Sequence, residues 1–176
     1  MSARNGARNR WVVGLLDIQP GDRILEIGFG PGLAVAQMSR RVTSGRITGI
    51  DHSELMVRKA SRRNAAAVAA GRVVLQLGSA DDLPTFDEPF DRVLSVNSYA
   101  FWRSPAETLV ALRLVMRAGG LIAIAHQPRH AGATDESALI AGQNIIEQLR
   151  RAGFTNPRLE LNTIKPVMVA CALARA

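Results

Sequence analysis

Short apolar runs alternate with longer mixed segments from one end of the chain to the other, the pattern of strand and helix in turn. Such alternation predicts a mainly parallel sheet covered by helices on both faces. A leading helix is expected over Arg8 to Leu16, then a turn at Pro20-Gly21. Strands follow at Arg23 to Ile27, Arg46 to Asp51, Val73 to Leu77, Asp91 to Val96 and Leu121 to His126. Helices are expected from Leu33 to Arg41, from a Ser53 cap to Gly71, from Ser104 to about Met116, and from Glu136 to Ala152. Ser104-Pro105-x-Glu107 reads as a capping box with proline at the first helical position. Two last strands, Arg158 to Thr163 and Val167 to Ala172, lie too close together for a crossover and require an antiparallel hairpin.

The 176 residues suit one domain, 1–176, with residues 1–16 as a leading helix or arm and 158–172 as the terminal hairpin. No apolar run reaches the ~18 to 20 residues of a membrane span. The amino terminus is basic (Arg4, Arg8, Arg10), but Trp11 to Leu16 is too short for a secretory core. The lone Cys171 excludes an internal disulfide or a cysteine-based metal site and points to a reducing cytoplasm. A net charge of +7 raises a nucleic-acid or acidic partner. The arginines are scattered, as at Arg40-Arg41, Arg62-Arg63 and Arg150-Arg151, which favours solvated helix surfaces instead.

The chemistry concentrates at Ile24-Leu-Glu-Ile-Gly-Phe-Gly-Pro-Gly32. An apolar strand ends in an acid and enters a glycine turn, where Gly28, Gly30 and Gly32 allow positive φ or close approach. A sheet of this kind places ligands at such strand ends. A nicotinamide site would read G-x-G-x-x-G, and its third position falls here on Leu33. Glu26 is the discriminating residue: so close a carboxylate repels a pyrophosphate but suits a cation. The stretch resembles the first motif of the class I S-adenosylmethionine (SAM) methyltransferases, with Glu26, Gly28, Gly30 and Gly32 matching without a gap. The terminal hairpin is a second, independent likeness, and its nearest flavour is the type 11, UbiE-like small-molecule group.

That resemblance implies a single Rossmann-like α/β domain with seven strands in the order 3-2-1-4-5-7-6, the seventh antiparallel. It implies SAM as cofactor, S-adenosylhomocysteine (SAH) as product, and no metal. Asp51, at the end of the second strand, can accept from both hydroxyls of an adenosine ribose. His52 and Met56 would lie beside the adenine, although Met56 serves equally well as core. Ala80-Asp81 follows the third strand, and Asp81, or the adjacent Asp82, would accept from the adenine amino group. Asn97 would shape the methionine end of the pocket. Tyr99, Phe101 and Trp102 would wall an apolar acceptor and shield the sulfonium, or else plug against a neighbouring helix. His126 is the best-placed general base, or a strand-end histidine bonded to backbone. Arg129 would bind an acidic group of the acceptor, or remain solvated.

The reaction so implied moves the sulfonium methyl in line to a nucleophilic atom of a small, apolar or aromatic molecule. Nicotinamide oxidoreduction, a non-catalytic SAM-binding subunit and RNA methylation are the alternatives. The short chain has no insertion large enough for an evident lid, so the acceptor pocket is open or a second protomer, in a homodimer, completes it.

Overall fold

The computed structural model describes residues 3–176; the first two residues of the expected arm lie outside the described part. The order is α1 (Ala3–Leu15), β1 (Arg23–Ile27), α2 (Leu33–Met38), β2 (Arg46–Asp51), α3 (Glu54–Arg63), α4 (Ala65–Ala69), β3 (Val73–Leu77) and β4 (Phe90–Val96). A 3₁₀ turn, Tyr99–Phe101, leads to α5 (Pro105–Leu114), β5 (Met116–His126), α6 (Asp135–Arg151), β6 (Thr155–Asn162) and β7 (Val169–Arg175). The seven strands form one sheet in the order β3-β2-β1-β4-β5-β7-β6. β1 to β5 pair in parallel, and β7 is antiparallel to both neighbours.

Strand alternation divides the core into two layers. Ile24, Ile47, Ala123 and Ala125 point to one face, where Val12, Leu16, Val35 and Met38 of the leading elements cover them. Leu25, Ile50, Ile122 and Ile124 point to the other, under Leu109, Leu112, Ile145 and Leu149 of α5 and α6. β1 is central, so it is buried on both sides, and its last four residues are all buried. Glu26 shares the Ile24 face and Asp51 the Ile47 face. Two acids at the tips of adjacent strands are thus aimed at the same side of the sheet.

Several boundaries shift by a few residues from expectation, α1 starting at Ala3, α2 ending at Met38 and the last two strands spanning Thr155–Asn162 and Val169–Arg175, and three departures have identifiable contacts behind them. The long helix after Ser53 breaks at Asn64, whose Nδ2 donates to Ala60 O at 2.9 Å and Gly32 O at 3.2 Å. A side chain that bonds nearby backbone in this way competes with the regular ladder. The strand expected to start at Leu121 starts at Met116. Gly119 (φ +76°) lies inside an irregular stretch where the pairing passes from Phe90↔Met116 to Arg92↔Leu121. Ser104 makes no side-chain cap on α5. The N–H groups just before the helix, those of Arg103 and Ser104, donate to Asp81 at 3.0 Å each.

Candidate active site

A cavity of ≈ 490 Å³ opens at the carboxyl ends of β1, β2 and β4, with α1 along one side. That volume is in the range of nucleoside-sized ligands. Its floor is the turn after β1. The three glycines of this turn do different work. A Cβ on Gly28 would overlap Ser98 Cβ, so Gly28 lets the turn press against the end of β4. One on Gly32 would sit 2.6 Å from Asn64 Nδ2 and 2.8 Å from Ala60 Cβ, so Gly32 seats α2 on α3. Gly30 (φ +52°) has nothing within 4 Å and lines the cavity.

A stability and binding contrast follows. Gly32→Ala should lower the thermal midpoint more than Gly30→Ala, because overpacking of ~1–3 kcal/mol adds to a left-handed penalty of ~1–2 kcal/mol. Gly30→Ala should carry only the second cost and should mainly weaken ligand binding. Equal losses of midpoint in the two variants, read by differential scanning fluorimetry, would contradict this division.

Asp51 is buried and holds the turn from the neighbouring strand. Its Oδ2 accepts from Gly30 N at 2.8 Å and its Oδ1 from Ser53 N at 3.0 Å. A carboxylate has about four acceptor positions, so two remain for a ligand diol. His52 lies beside it, largely exposed, with Nδ1 4.0 Å from Asp51 Oδ1. Glu26 is 1% exposed, and its Oε2 has no hydrogen-bond partner. Burial, and after it the charge of Asp51, pushes Glu26 up to about 8. A backbone hydrogen bond from Val35 acts against the shift. A buried acid with one oxygen unpaired is costly, and a cation beside it removes the cost.

Several other expected residues reach the cavity: Met56, Ala80, Asp81, Asn97, Phe101, Trp102 and Arg129. The Asp81 oxygens are already engaged. Besides the Arg103 and Ser104 amides, they accept from Thr108 Oγ1 at 3.2 Å and Ser79 Oγ at 3.4 Å. The Ser104 N–H is the largest cause holding Asp81 below its ordinary value. The acid expected at the adenine therefore also anchors the start of α5. Asn97 (φ +57°) accepts from Gln127 N at 2.8 Å through Oδ1.

The aromatic trio separates. Phe101 is 74% exposed at the mouth, whereas Trp102 is buried against the α5–α6 layer. Tyr99 does not line the cavity; its ring packs on Trp102 with centroids 5.0 Å apart. His126 is also absent from the wall. It continues the alternation of Ile122 and Ile124 toward the α6 face, its Nδ1 is buried without a partner, and burial first, then His130, lowers its pKa.

The next residue, Gln127, takes the side that His126 was expected to take, and sequence reading did not single it out. It accepts at Oε1 from Arg8 Nη1 at 2.7 Å, and its Nε2 donates to Ile164 O and Val167 O, both at 2.7 Å. Arg8, Asn5 and Asn9 of α1 line the cavity above it. The signal for Gln127 was available: Ala123 and Ala125, its partners in alternation, are small where Ile122 and Ile124 are large.

The comparisons with known proteins bear on the family and the fold. A family profile described as "Methyltransferase domain" matches residues 24–120, and the chain belongs to that family. More narrowly, it is a class I SAM-dependent methyltransferase. It is 36% identical over 175 residues to the uncharacterized methyltransferase YdaC of Bacillus subtilis, covering 99% of this chain and 94% of that one. It is 29% identical over 116 residues to the ubiquinone/menaquinone biosynthesis C-methyltransferase UbiE of Geotalea daltonii, covering 65% of this chain and 49% of the relative's length. The crystal structure of a SAM-dependent methyltransferase from Aquifex aeolicus superposes with a TM-score of 0.75 at 19% identity, covering 94% of this chain and 88% of that one. This last likeness bears on the fold alone.

Proposed function

We propose that this methyltransferase acts on a small-molecule acceptor, with SAM held along the ends of β1, β2 and β4. The observation that carries the reading is the buried Oε2 of Glu26, without a partner in the wall of the cavity that Asp51 and the open Gly30 turn also line. Glu26 fits a cationic group, Asp51 fits a ribose diol, and Met56 and Ala80 offer apolar surface to a base. A pyrophosphate lacks the positive charge that would relieve the buried Glu26 and would meet the Asp51 carboxylate, which disfavours a nicotinamide dinucleotide. When bound, the cofactor supplies a methyl already activated by its sulfonium.

The work left to the chain is placement and exclusion of water. Asp51 fixes the turn and the ribose together. Trp102 closes the wall from the α5 side, and Phe101 stands at the mouth where an apolar acceptor enters. His126 faces away from the cavity, so no proton transfer is assigned to it. The relative named for ubiquinone and menaquinone biosynthesis supports this acceptor class. Isothermal titration of SAM, SAH and NAD tests the cofactor: micromolar binding of the first two with none of the third is expected. The reverse order would make the domain a hydride-transfer module.

A further inference from the structure

α1 and the segment after β5 bring two guanidinium groups to one side of the cavity. Arg8 is 5% exposed and Arg129 is exposed, and both line the cavity wall. Neither forms an ion pair among the described residues, although several other arginines do. Their partners are neutral amides. Arg8 Nη1 donates to Gln127 Oε1 at 2.7 Å and its Nη2 to Asn5 Oδ1 at 3.3 Å, while Arg8 Nε has no partner. Arg129 Nη2 donates to the same Asn5 Oδ1 at 2.9 Å. Two like charges are thus gathered around one amide oxygen. Burial, and then the charge of Arg129, lowers Arg8 to about 10. Holding a buried cation next to another without an anion is unfavourable, and an anion between the forks relieves both terms.

We propose that Arg8 and Arg129 form an anion subsite for the methyl acceptor, which is therefore an acid carrying a carboxylate or phosphate group. The assignment rests on the SAM reading. It goes to the acceptor rather than to the cofactor for two reasons. Gln127 and Arg129 follow β5, one strand beyond β4 and three from the Asp51 end of the site. SAM itself also carries a net positive charge, with one carboxylate against an ammonium and a sulfonium. Bound there, it leaves the two guanidiniums in excess, and an anionic acceptor balances them.

The test uses the full chain and titration calorimetry. Benzoate and phenyl phosphate serve as probes, with benzyl alcohol as the neutral control, each with and without saturating SAH. SAH and 5′-methylthioadenosine, which lacks the amino-acid tail, are titrated separately. Wild-type protein should bind an anionic probe at least roughly tenfold tighter than the alcohol, and Arg129→Ala should erase that preference while Arg129→Lys keeps part of it. Arg129 is exposed, so its replacement leaves the core intact. SAH affinity should stay within about twofold in Arg129→Ala. Equal binding of anions and alcohol, or no binding of any probe, overturns the proposal. So does an Arg129→Ala loss confined to SAH and absent for methylthioadenosine, which would assign the pair to the cofactor's carboxylate. Failure of the cofactor reading has a separate signature: wild type binds no SAH, yet binds benzoate through Arg129, which leaves the anion subsite standing.

Discussion

Between about pH 6 and about pH 7.5, the affinity for SAM should rise by close to tenfold per pH unit, and it should flatten above about pH 8. The cause is Glu26, which burial first and Asp51 second hold up to about 8 in the unliganded chain. At neutral pH the carboxyl is therefore mostly protonated. A cationic group placed beside it favours the charged form, so binding expels the proton. Proton release makes affinity climb with pH until Glu26 is already ionised.

The folded chain without ligand obeys the same sign. It holds on Glu26 a proton that the unfolded chain gives up above the ordinary value of 4.5. The folded state binds more protons than the unfolded one across that interval. Stability from this group is therefore fully present below about 4.5 and falls as pH rises through about 8. Glu26→Gln should flatten both curves and bind SAM weakly at every pH. Calorimetry in buffers of different ionisation enthalpy counts the released proton directly. A wild-type affinity that does not change across this range would sink the pairing of Glu26 with a cation.

Much of this frame is legible in the sequence, because strand ends, glycine turns and hairpin geometry are local. The apolar run Ile24 to Ile27, the acid within it and the turn after it sit within nine residues, and short-range physics places them together. The order of the sheet came with the family likeness and is present in the structure. What sequence reading missed depends on long-range contact. Asp81 reaches the start of α5 across 23 residues, so the capping box written at Ser104 stays unmade. Gln127 meets Arg8 across 119 residues, which no window on the chain displays. His126 and Tyr99 were placed by proximity in sequence to the strand ends. The pleat, which sends adjacent residues to opposite faces, takes His126 toward α6, and Tyr99 is drawn onto Trp102.

Asp51→Ala should weaken SAH binding by two orders of magnitude or more and should also lower the unfolding midpoint. Two distinct losses combine. The carboxylate accepts from Gly30 N in the glycine turn and from Ser53 N at the start of α3, so its removal leaves two backbone amides without their acceptor, at about 1–3 kcal/mol for each that stays buried. Its remaining acceptor positions are the ones a ribose diol would use. Asp51→Asn separates the losses. An amide keeps its oxygen for one of the two N–H groups and turns a donor toward the other, so only part of the stability should return, and it offers a donor where the second hydroxyl needs an acceptor. Binding of SAH and of 5′-methylthioadenosine should stay weak alike, since both carry the ribose. Wild-type affinity in Asp51→Asn would exclude the diol role and leave Asp51 only as a strut for the turn. The same variant bears on Glu26. Asp51's charge is the second cause of the raised Glu26 value, and burial the first. Removing that charge should shift the break in the pH–affinity curve below about 8 without restoring the ordinary carboxylate range. A break that does not move would mean that burial alone holds the proton, and that the two acids at the strand tips act independently.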